Sequence, residues 1–570
     1  MVRNVKFDTV KFAQQLGISD TVAKLMVNRG IYNLDIAKEY LSSSIGELHN
    51  PTDMLGMSGA VELMRNSIIK GEKILIVGDY DVDGVISTYV LYIAISKCGG
   101  NVSFHIPDRI KEGYGINESI IKKASEDNID IIITCDNGIA AIEQVKLAKE
   151  LGIKVIITDH HDVPFIEEDN VRKYVVPEAD YVLNPKQENC NYEFDKICGA
   201  GVAYKFVQCL YKEFNIPNEE LYDLIQYVAI ATVCDVVDLV SENRILVKEG
   251  LKRINNTSNI GLRALFKETG LEGKEITVYS LGFVIGPSIN ASGRLEQAEW
   301  ALKLLITKDK NEAEELAKKL NELNKDRQEL TQTGLEEAIK IIEENNMAKD
   351  KVLVVYLEDV HESIAGIIAG RIKDRLNHPA FVLTDAKEGI KGSGRSIEGY
   401  SMFEEMMKVK EVFTKFGGHP MAAGCSLKKE KLQEFRKKIN ENCTLEKKDF
   451  AKKVQIDIDM PVDYITMDLI HQLSVLEPFG KENKKPLFAH RKLKVERVNV
   501  FGKNRNVIKL ALKSSQGTRI DGMIFEDEDE FREKMGTSKY ITCTYYPVIN
   551  EYQGYKSLQI NIQNYFFVEE

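Results

Sequence analysis

Residues 73–88 read KILIVGDYDVDGVIST: an apolar strand from Lys73 to Val77 breaks at Gly78 into three alternating acids, Asp79, Asp81 and Asp83, and closes on Gly84. Packing gives no reason for carboxylates at the end of a buried strand. Crowded this closely they repel one another and lose hydration in a cleft, so each is driven toward protonation unless a cation neutralises it. Oxygen ligands of this kind suit Mg²⁺ or Mn²⁺, and a histidine joining them favours Mn²⁺. The alternatives are a solvated acidic turn and a Ca²⁺ loop. An EF-hand opens with a similar pattern but needs a helix on each side and a Glu at its twelfth position. Counted from Asp79, this chain has Val90 there, and a strand precedes the acids.

Further apolar runs follow: NVSFHI at 101–106, DIIITCD at 130–136, KVIITDHH at 154–161 and DYVLNP at 180–185. Their alternation with helical patterns predicts a parallel sheet wrapped by helices. In such sheets functional groups sit beyond the carboxyl ends of the strands. The acids follow that rule: Asp136 with Asn137 and Gly138 ends the third run, and Asp159-His160-His161 ends the fourth. A further candidate, Asp235, lies in LIQYVAIATVCDVVDLV, an apolar run that reads as a buried helix, where a carboxylate is rarely left unpaired. Two adjacent histidines are usually structural. Beside an acid, after a buried strand and near two other acidic strand ends, they read as ligands.

The chain has 570 residues, 44% hydrophobic and 29% charged, which is the composition of a globular protein with roughly three or four domains. A net charge of −11 gives no global attraction to nucleic acid, so any such binding rests on local patches. Nine cysteines without a C-x-x-C pair predict reduced thiols, with Cys135 and Cys234 as small buried residues. The first residues, MVRNVKFDTVKF, lack a signal-peptide core, and no apolar run approaches the ~20 residues of a membrane span. The expectation is a soluble, cytoplasmic protein.

GDYDVDG, TCDNG, TDHH and the Asp of ATVCD resemble the four motifs of the DHH phosphoesterases, named for the triplet found here as Asp159-His160-His161. That resemblance implies two bound metal ions, usually Mn²⁺ with Mg²⁺ possible, and hydrolysis of phosphodiesters or phosphoanhydrides. HIPDRIKEGYGIN at 105–117, ICGAGVAYK at 197–205, ENR at 242–244, GPSINASGRLEQA at 286–298, GSGRSIEG at 392–399, FGGHPMAAG at 416–424 and LEPFGKENKKPLF at 476–488 are similar, in order, to the RecJ family of single-strand-specific 5′→3′ DNA exonucleases. The resemblance covers about residues 50 to 570. Two departures stand out: Val360-His361-Glu362-Ser363 where many relatives have a Trp-His-x-Gly step, and Asp238 where a proline is common. Both lie outside the metal motifs and bear on substrate details.

The expected architecture is α/β: an N-terminal helical segment (1–45), a parallel-sheet DHH metal-binding domain (46–255), a helical connector (256–345), a second α/β DHHA1 substrate-binding domain (346–450) and a C-terminal OB-type β-barrel (455–570). Ala313, Leu316, Ala317, Leu320 and Leu323 recur at helix spacing in a charged run. A coiled-coil face and a long exposed helix joining domains both fit, and the resemblance favours the second, since the stripe breaks near Asn324 and Gly334. Between Lys481 and Arg519 stand twelve Lys or Arg against Glu482 and Glu496, interleaved with Phe488 and Phe501, the mixture that groove-and-stacking binding of single strands requires. The acidic EDEDE at 526–530 reads as a solvated loop or a mimic of nucleic acid.

The resemblance implies two ions roughly 3.5–4 Å apart, bridged by Asp136, with Asp81, Asp83, His160 and Asp235 completing the ligands and Asp79 supporting them. His161 then faces the substrate phosphate or leaving group, so Asp136, His160 and His161 form the catalytic set. Arg109, Ser393 and Arg395 are implied to hold a 5′-terminal phosphate, with Asn290, Arg294, Gly417, Gly418 and His419 also binding substrate; Gly-rich turns admit phosphate and guanidinium groups grip it bidentately. The implied reaction releases 5′-mononucleotides from single-stranded DNA in repair and recombination, by a monomer working with single-strand-binding protein and a helicase and no membrane. Two other classes remain: a DHH phosphodiesterase of short oligonucleotides or cyclic dinucleotides, which needs no basic barrel, and a non-catalytic replication scaffold, which would have lost metal ligands.

Overall fold

In the computed structural model the first sheet runs Asn101–His105, Lys73–Val77, Ile131–Cys135, Lys154–Thr158, Tyr181–Leu183, all parallel. The described residues are 7–168, 171–502, 504–552 and 554–569; residues 1–6 of the predicted helical segment and Lys503 of the basic stretch lie outside them. The Ile131–Cys135 strand is buried along its whole length, as a central strand covered on both faces must be. Its side chains alternate between two cores. Ile131 and Ile133 join the one built with helices Val82–Lys97 and Gly199–Glu213, while Ile132 joins the one built with Glu118–Glu126 and Ile142–Glu150. Because the second strand lies on one side of the first and the third on the other, the chain reverses direction between Lys73–Val77 and Ile131–Cys135. In open sheets the ligand crevice forms at such a switch point, beyond the carboxyl ends of those strands.

The second α/β unit has a mixed sheet in the order Lys415–His419, Ala422–Leu427, Ile390–Arg395, Ala380–Asp385, Leu353–Tyr356, with only the last pair parallel. Between the two units runs a single helix, Lys310–Glu344, of 35 residues and therefore about 50 Å. The expected exposed rod is instead a shared wall. Ala313, Ala317 and Leu320 belong to the core of the first unit, and Ala338 and Ile342 to that of the second. The stripe does not end at Asn324 and Gly334, which are buried within it. A Cβ on Gly334 would lie 2.6 Å from Ile368 Cδ1, so glycine there lets the Glu362–Leu376 helix pack close.

The C-terminal barrel closes through Phe488–Phe501, which pairs with Val507–Lys513 on one side and Tyr540–Tyr552 on the other. Arg519–Phe525 and Tyr555–Val568 complete the circuit in the order expected of a five-stranded Greek-key barrel. Three helices from the other end of the chain, Thr9–Leu16, Asp20–Asn28 and Leu34–Ser42, share its core: Phe12, Leu25 and Met26 cluster with Leu473, Phe488 and Leu493. Arg244 of the ENR motif stitches this junction to the first unit. Its fully buried guanidinium donates to the carbonyls of Tyr40, Val475 and Glu477 and to the Ser43 hydroxyl.

Two expectations for the barrel are corrected. EDEDE is not a loop: Asp527 caps a helix, Glu528–Met535, and the buried Glu528 pairs with Arg505 and Arg532, so acids in the first turn complement the helix dipole. Phe488 is fully buried and cannot stack on a base, whereas Phe501 is half exposed. Part of the basic surplus is also answered internally, by Arg491–Asp459, Lys509–Asp521 and Arg519–Glu496 pairs.

Candidate metal centre and phosphate cleft

The acidic turn is held by its own backbone. Asp81 caps the Val82–Lys97 helix, its Oδ1 accepting from Asp83 N at 2.9 Å and Gly84 N at 3.1 Å. The remaining free amide, Val82 N, donates to Asn290 Oδ1 at 3.1 Å. Asp83, turned inward, accepts from Gly199 N at 2.6 Å and Ala200 N at 2.8 Å, the first amides of the Gly199–Glu213 helix. Glycine at 199 is required here, because a Cβ would stand 2.7 Å from Asp136 Cβ.

Asp136 leaves its strand in the left-handed region, φ 60°, which an aspartate tolerates better than most residues. This turn aims its carboxylate at the acidic turn next door. Asp79, Asp81 and Asp136 bring ligand oxygens within 4.8 Å of one another, and so do the ligand atoms of Asp83, His160 and Asp235. His160 Nε2 lies 3.0 Å from Asp136 Oδ1, 3.6 Å from Asp83 Oδ2 and 3.7 Å from Asp235 Oδ2, and Asp136, His160 and His161 form a third such set that links the other two.

Burial first, then mutual repulsion, pushes Asp79, Asp83 and Asp136 above the usual carboxylate range and Asp235 up to about 8. Burial also lowers His160, leaving a neutral imidazole suited to a metal. Asp79 Oδ1 and Asp136 Oδ1 are buried without a hydrogen-bond partner, a rare and costly state for a carboxylate oxygen. Orphaned oxygens, a neutral histidine and mutually repelling acids together fit divalent cations.

Asp159 plays a different part from its neighbours. Its oxygens accept from Ile139 N, His160 N, His161 N and His161 Nδ1, the last at 2.8 Å, so it orients the histidine pair and offers nothing to an ion. Burial opposes charge on the half-exposed His161, but the hydrogen bond and charge of Asp159, with Asp235 and Asp83, outweigh it and raise the imidazole to about 9. Tyr114 OH donates to Asp136 O at 2.9 Å and lies 3.3 Å from His161 Nδ1.

Beyond Tyr80 a cleft of about 410 Å³ opens between the two α/β units, lined by Arg109, Glu362, Lys391, Ser393 and Gly417 among others. Arg109 lies 5.0 Å over the Tyr80 ring. Arg395 packs beneath the Glu362–Leu376 helix, where a Cβ on Gly366 would come within 2.9 Å of its Nη2 and 3.4 Å of Ser393 Oγ. Arg294 donates to Ser363 O at 2.8 Å, tying the connector to the second unit. Burial lowers Arg395 and brings Arg294 down to about 10, and in both the nearby Arg109 adds repulsion, so the group favours an anion. Asn290 is engaged with the acidic turn rather than aimed into this cleft, Gly418 closes against Ala422 and Ala423, and His419 lies 4.0 Å from Asp162 across the domain boundary.

A model of the DHH family, N-terminal domain, matches residues 73–232, a DHHA1 domain model residues 349–444, and a RecJ OB domain model residues 456–564. The single-stranded-DNA-specific exonuclease RecJ of Bacillus subtilis strain 168 is 37% identical over 562 residues, 98% of this chain and 69% of that relative. The chain belongs to the RecJ family. The RecJ of Escherichia coli K12 is 32% identical, with 95% of each chain covered. RecJ of Thermus thermophilus, crystallised with Mn²⁺, shares the fold at TM-score 0.83 over 100% of this chain and 79% of that one, at 24% identity, and has also been crystallised with Mg²⁺. Several RecJ motifs quoted from the sequence thereby acquire physical roles that reading alone missed. ICGAGVAYK supplies the helix amides that hold Asp83, and the Asn of GPSINASGR completes the cap of the metal-site helix. Gly293 of the same motif touches the acidic turn, since a Cβ would fall 2.2 Å from Tyr80 O. Tyr114 lies within a quoted motif, but nothing in the sequence marks it as a neighbour of His161.

Proposed function

We propose that this chain is a single-strand-specific 5′→3′ exodeoxyribonuclease that releases 5′-mononucleotides, using two Mn²⁺ ions with Mg²⁺ as a substitute. The observation that carries the reading is the clustering of ligand atoms around Asp136, with two orphaned carboxylate oxygens, Asp79 Oδ1 and Asp136 Oδ1, next to a cleft lined by Arg109, Lys391 and Ser393. Bound divalent ions would supply Lewis-acid polarisation of the phosphodiester and a nucleophile at neutral pH. Asp79, Asp81 and Asp136 would hold one ion; Asp83, Asp136, His160 and Asp235 the other.

The remaining roles belong to the chain's own groups. Arg109, Ser393 and Arg395 grip a terminal 5′-phosphate and so set direction, which a two-ion centre cannot do alone. His161, oriented by its hydrogen bond to Asp159, faces the phosphate being cleaved or its leaving group. The barrel holds the following nucleotides through its unpaired basic residues. DNA repair and recombination, a monomeric enzyme in the cytoplasm, and single-strand-binding protein with a helicase as partners complete this reading. Purified protein with Mn²⁺ and single strands labelled at either end tests it: shortening from the 5′ end with mononucleotide products is expected, while 3′ shortening, internal cuts or equal action on blunt duplex overturns it.

A further inference from the structure

The helix that positions both the metal site and the phosphate cleft begins with an anomaly. Val278–Ser280 leads into a π-helical stretch, Leu281–Ile285, and on into Gly286–Leu295, which bears Asn290 and Arg294. Leu281, Ile285 and Ile289 are buried in the main core. The outward side of such a helix is ordinarily polar. Here it presents Tyr279 and Phe283, 67% and 68% exposed, with rings stacked at 4.9 Å and 22°. Short π segments inside helices are frequent at functional sites.

The helical segment that carries the pair packs directly against the residue next to candidate ligand Asp235. Cys234, the residue before ligand Asp235, donates through Sγ to Leu281 O at 3.5 Å, and a Cβ on Gly286 would fall 2.2 Å from the same sulfur. Val236, on the other side of Asp235, is 61% exposed and in the left-handed region at φ 56°. A β-branched residue held there is strained, and strain of this kind concentrates where a ligand acts. Arg294 follows Phe283 by eleven residues, about 16 Å along the helix.

We infer that Tyr279 and Phe283 form a stacking platform for unpaired nucleobases of the strand that occupies the metal centre. Stacking tolerates any base, because each has a π face, and it requires a base free of its complement. The platform therefore reads single-strandedness beside the reaction centre, separately from the barrel. This rests on the nuclease reading above.

The test compares wild type, the Tyr279→Ala/Phe283→Ala double variant, and a Tyr279→Phe/Phe283→Tyr variant that keeps two rings. Binding of labelled oligonucleotides by fluorescence anisotropy is measured without Mn²⁺, using a normal strand and strands with a short abasic window moved base by base, and KM and kcat are measured with Mn²⁺. The alanine pair should weaken normal strands roughly five- to a hundredfold in Kd and KM, with kcat changed less than about twofold. Wild type should suffer the same loss at one window position, where the alanine variant loses nothing more. The ring-swapped variant should bind as wild type, with equal melting temperatures throughout. Equal Kd for wild type and the alanine pair, or a loss that persists at every abasic position, overturns the platform. So does a concentration-dependent dimer that the alanine pair abolishes while leaving DNA binding intact, which would make the rings a contact between copies. A wild type that binds base-dependently but cleaves nothing would refute the nuclease reading and leave the platform standing.

Discussion

Asp136 Oδ1 and His160 Nε2 lie 3.0 Å apart, from two adjacent strand ends, yet the oxygen has no hydrogen bond. A contact of that length without bonding alignment is what two ligands of one cation look like. Asp136→Asn keeps the shape and removes the shared charge. It should reduce Mn²⁺ binding measured by titration calorimetry and lower kcat/KM by about a thousandfold or more, more than ~4 kcal/mol of transition-state stabilisation. Wild-type metal affinity in this variant would remove Asp136 from the shared position.

Metal binding should release protons. Asp79, Asp83 and Asp136 lie above the usual carboxylate range and Asp235 near 8, so below about pH 8 the empty centre retains protons that a cation must displace. Mn²⁺ affinity should therefore rise as pH is raised from 6 toward 8. Calorimetry in buffers of different ionisation enthalpy counts the protons directly. A pH-independent affinity across that range would mean that the carboxylates are already ionised without metal.

Arg395→Ala should erase the preference for 5′-phosphate over 5′-hydroxyl ends while leaving Mn²⁺ binding unchanged. A charge-assisted hydrogen bond is worth about 1.5–3 kcal/mol, so the loss on phosphorylated ends should be roughly ten- to a hundredfold in kcat/KM. Equal slowing on both kinds of end would assign Arg395 to general strand binding.

Removing the barrel alone would expose the apolar faces of the N-terminal helices, since Phe12, Leu25 and Met26 share its core, and would strip Arg244 of its Val475 and Glu477 acceptors. Deletion of 455–570 by itself should give an aggregation-prone protein. Removing residues 1–45 as well should leave a chain that melts cooperatively, binds long single strands more weakly with a flatter salt dependence, and still cleaves very short oligonucleotides. Unchanged affinity and salt slope in the doubly trimmed chain would show that the barrel contributes nothing to strand binding.

The sequence made the candidate metal ligands legible because most of them follow an apolar strand and Asp235 ends an apolar helix, and such runs, acids and order along the chain are all local information. The resemblance added Arg109, Ser393 and Arg395 in the same way, motif by motif. Asn290 shows the limit. Its motif marked it as a substrate group, but its side chain caps a helix 208 residues earlier, and only folding decides which polar partner a short side chain meets. The acidic stretch at 526–530 looked solvated because charge was counted without the helix it begins, whose dipole and Arg532 answer Glu528.

What the amino-acid sequence determined by itself was the parallel sheet, the acids and histidines that cluster as a candidate metal centre, and the family, all written in patterns a few residues long. What only the tertiary structure decided was which ligands form each group, that Asp159 orients rather than binds, that the long helix is core rather than spacer, and that the first helices belong to the last domain. The physical reason is the same in each case: burial and hydrogen bonding are settled by groups distant in the chain, so a carboxylate's role depends on which neighbour reaches it first. Asp83 and Asp159 are both buried acids at the carboxyl end of the same sheet. One accepts from two helix amides and stands with His160 and Asp235, and the other is saturated by four hydrogen bonds, a difference that no local pattern contains.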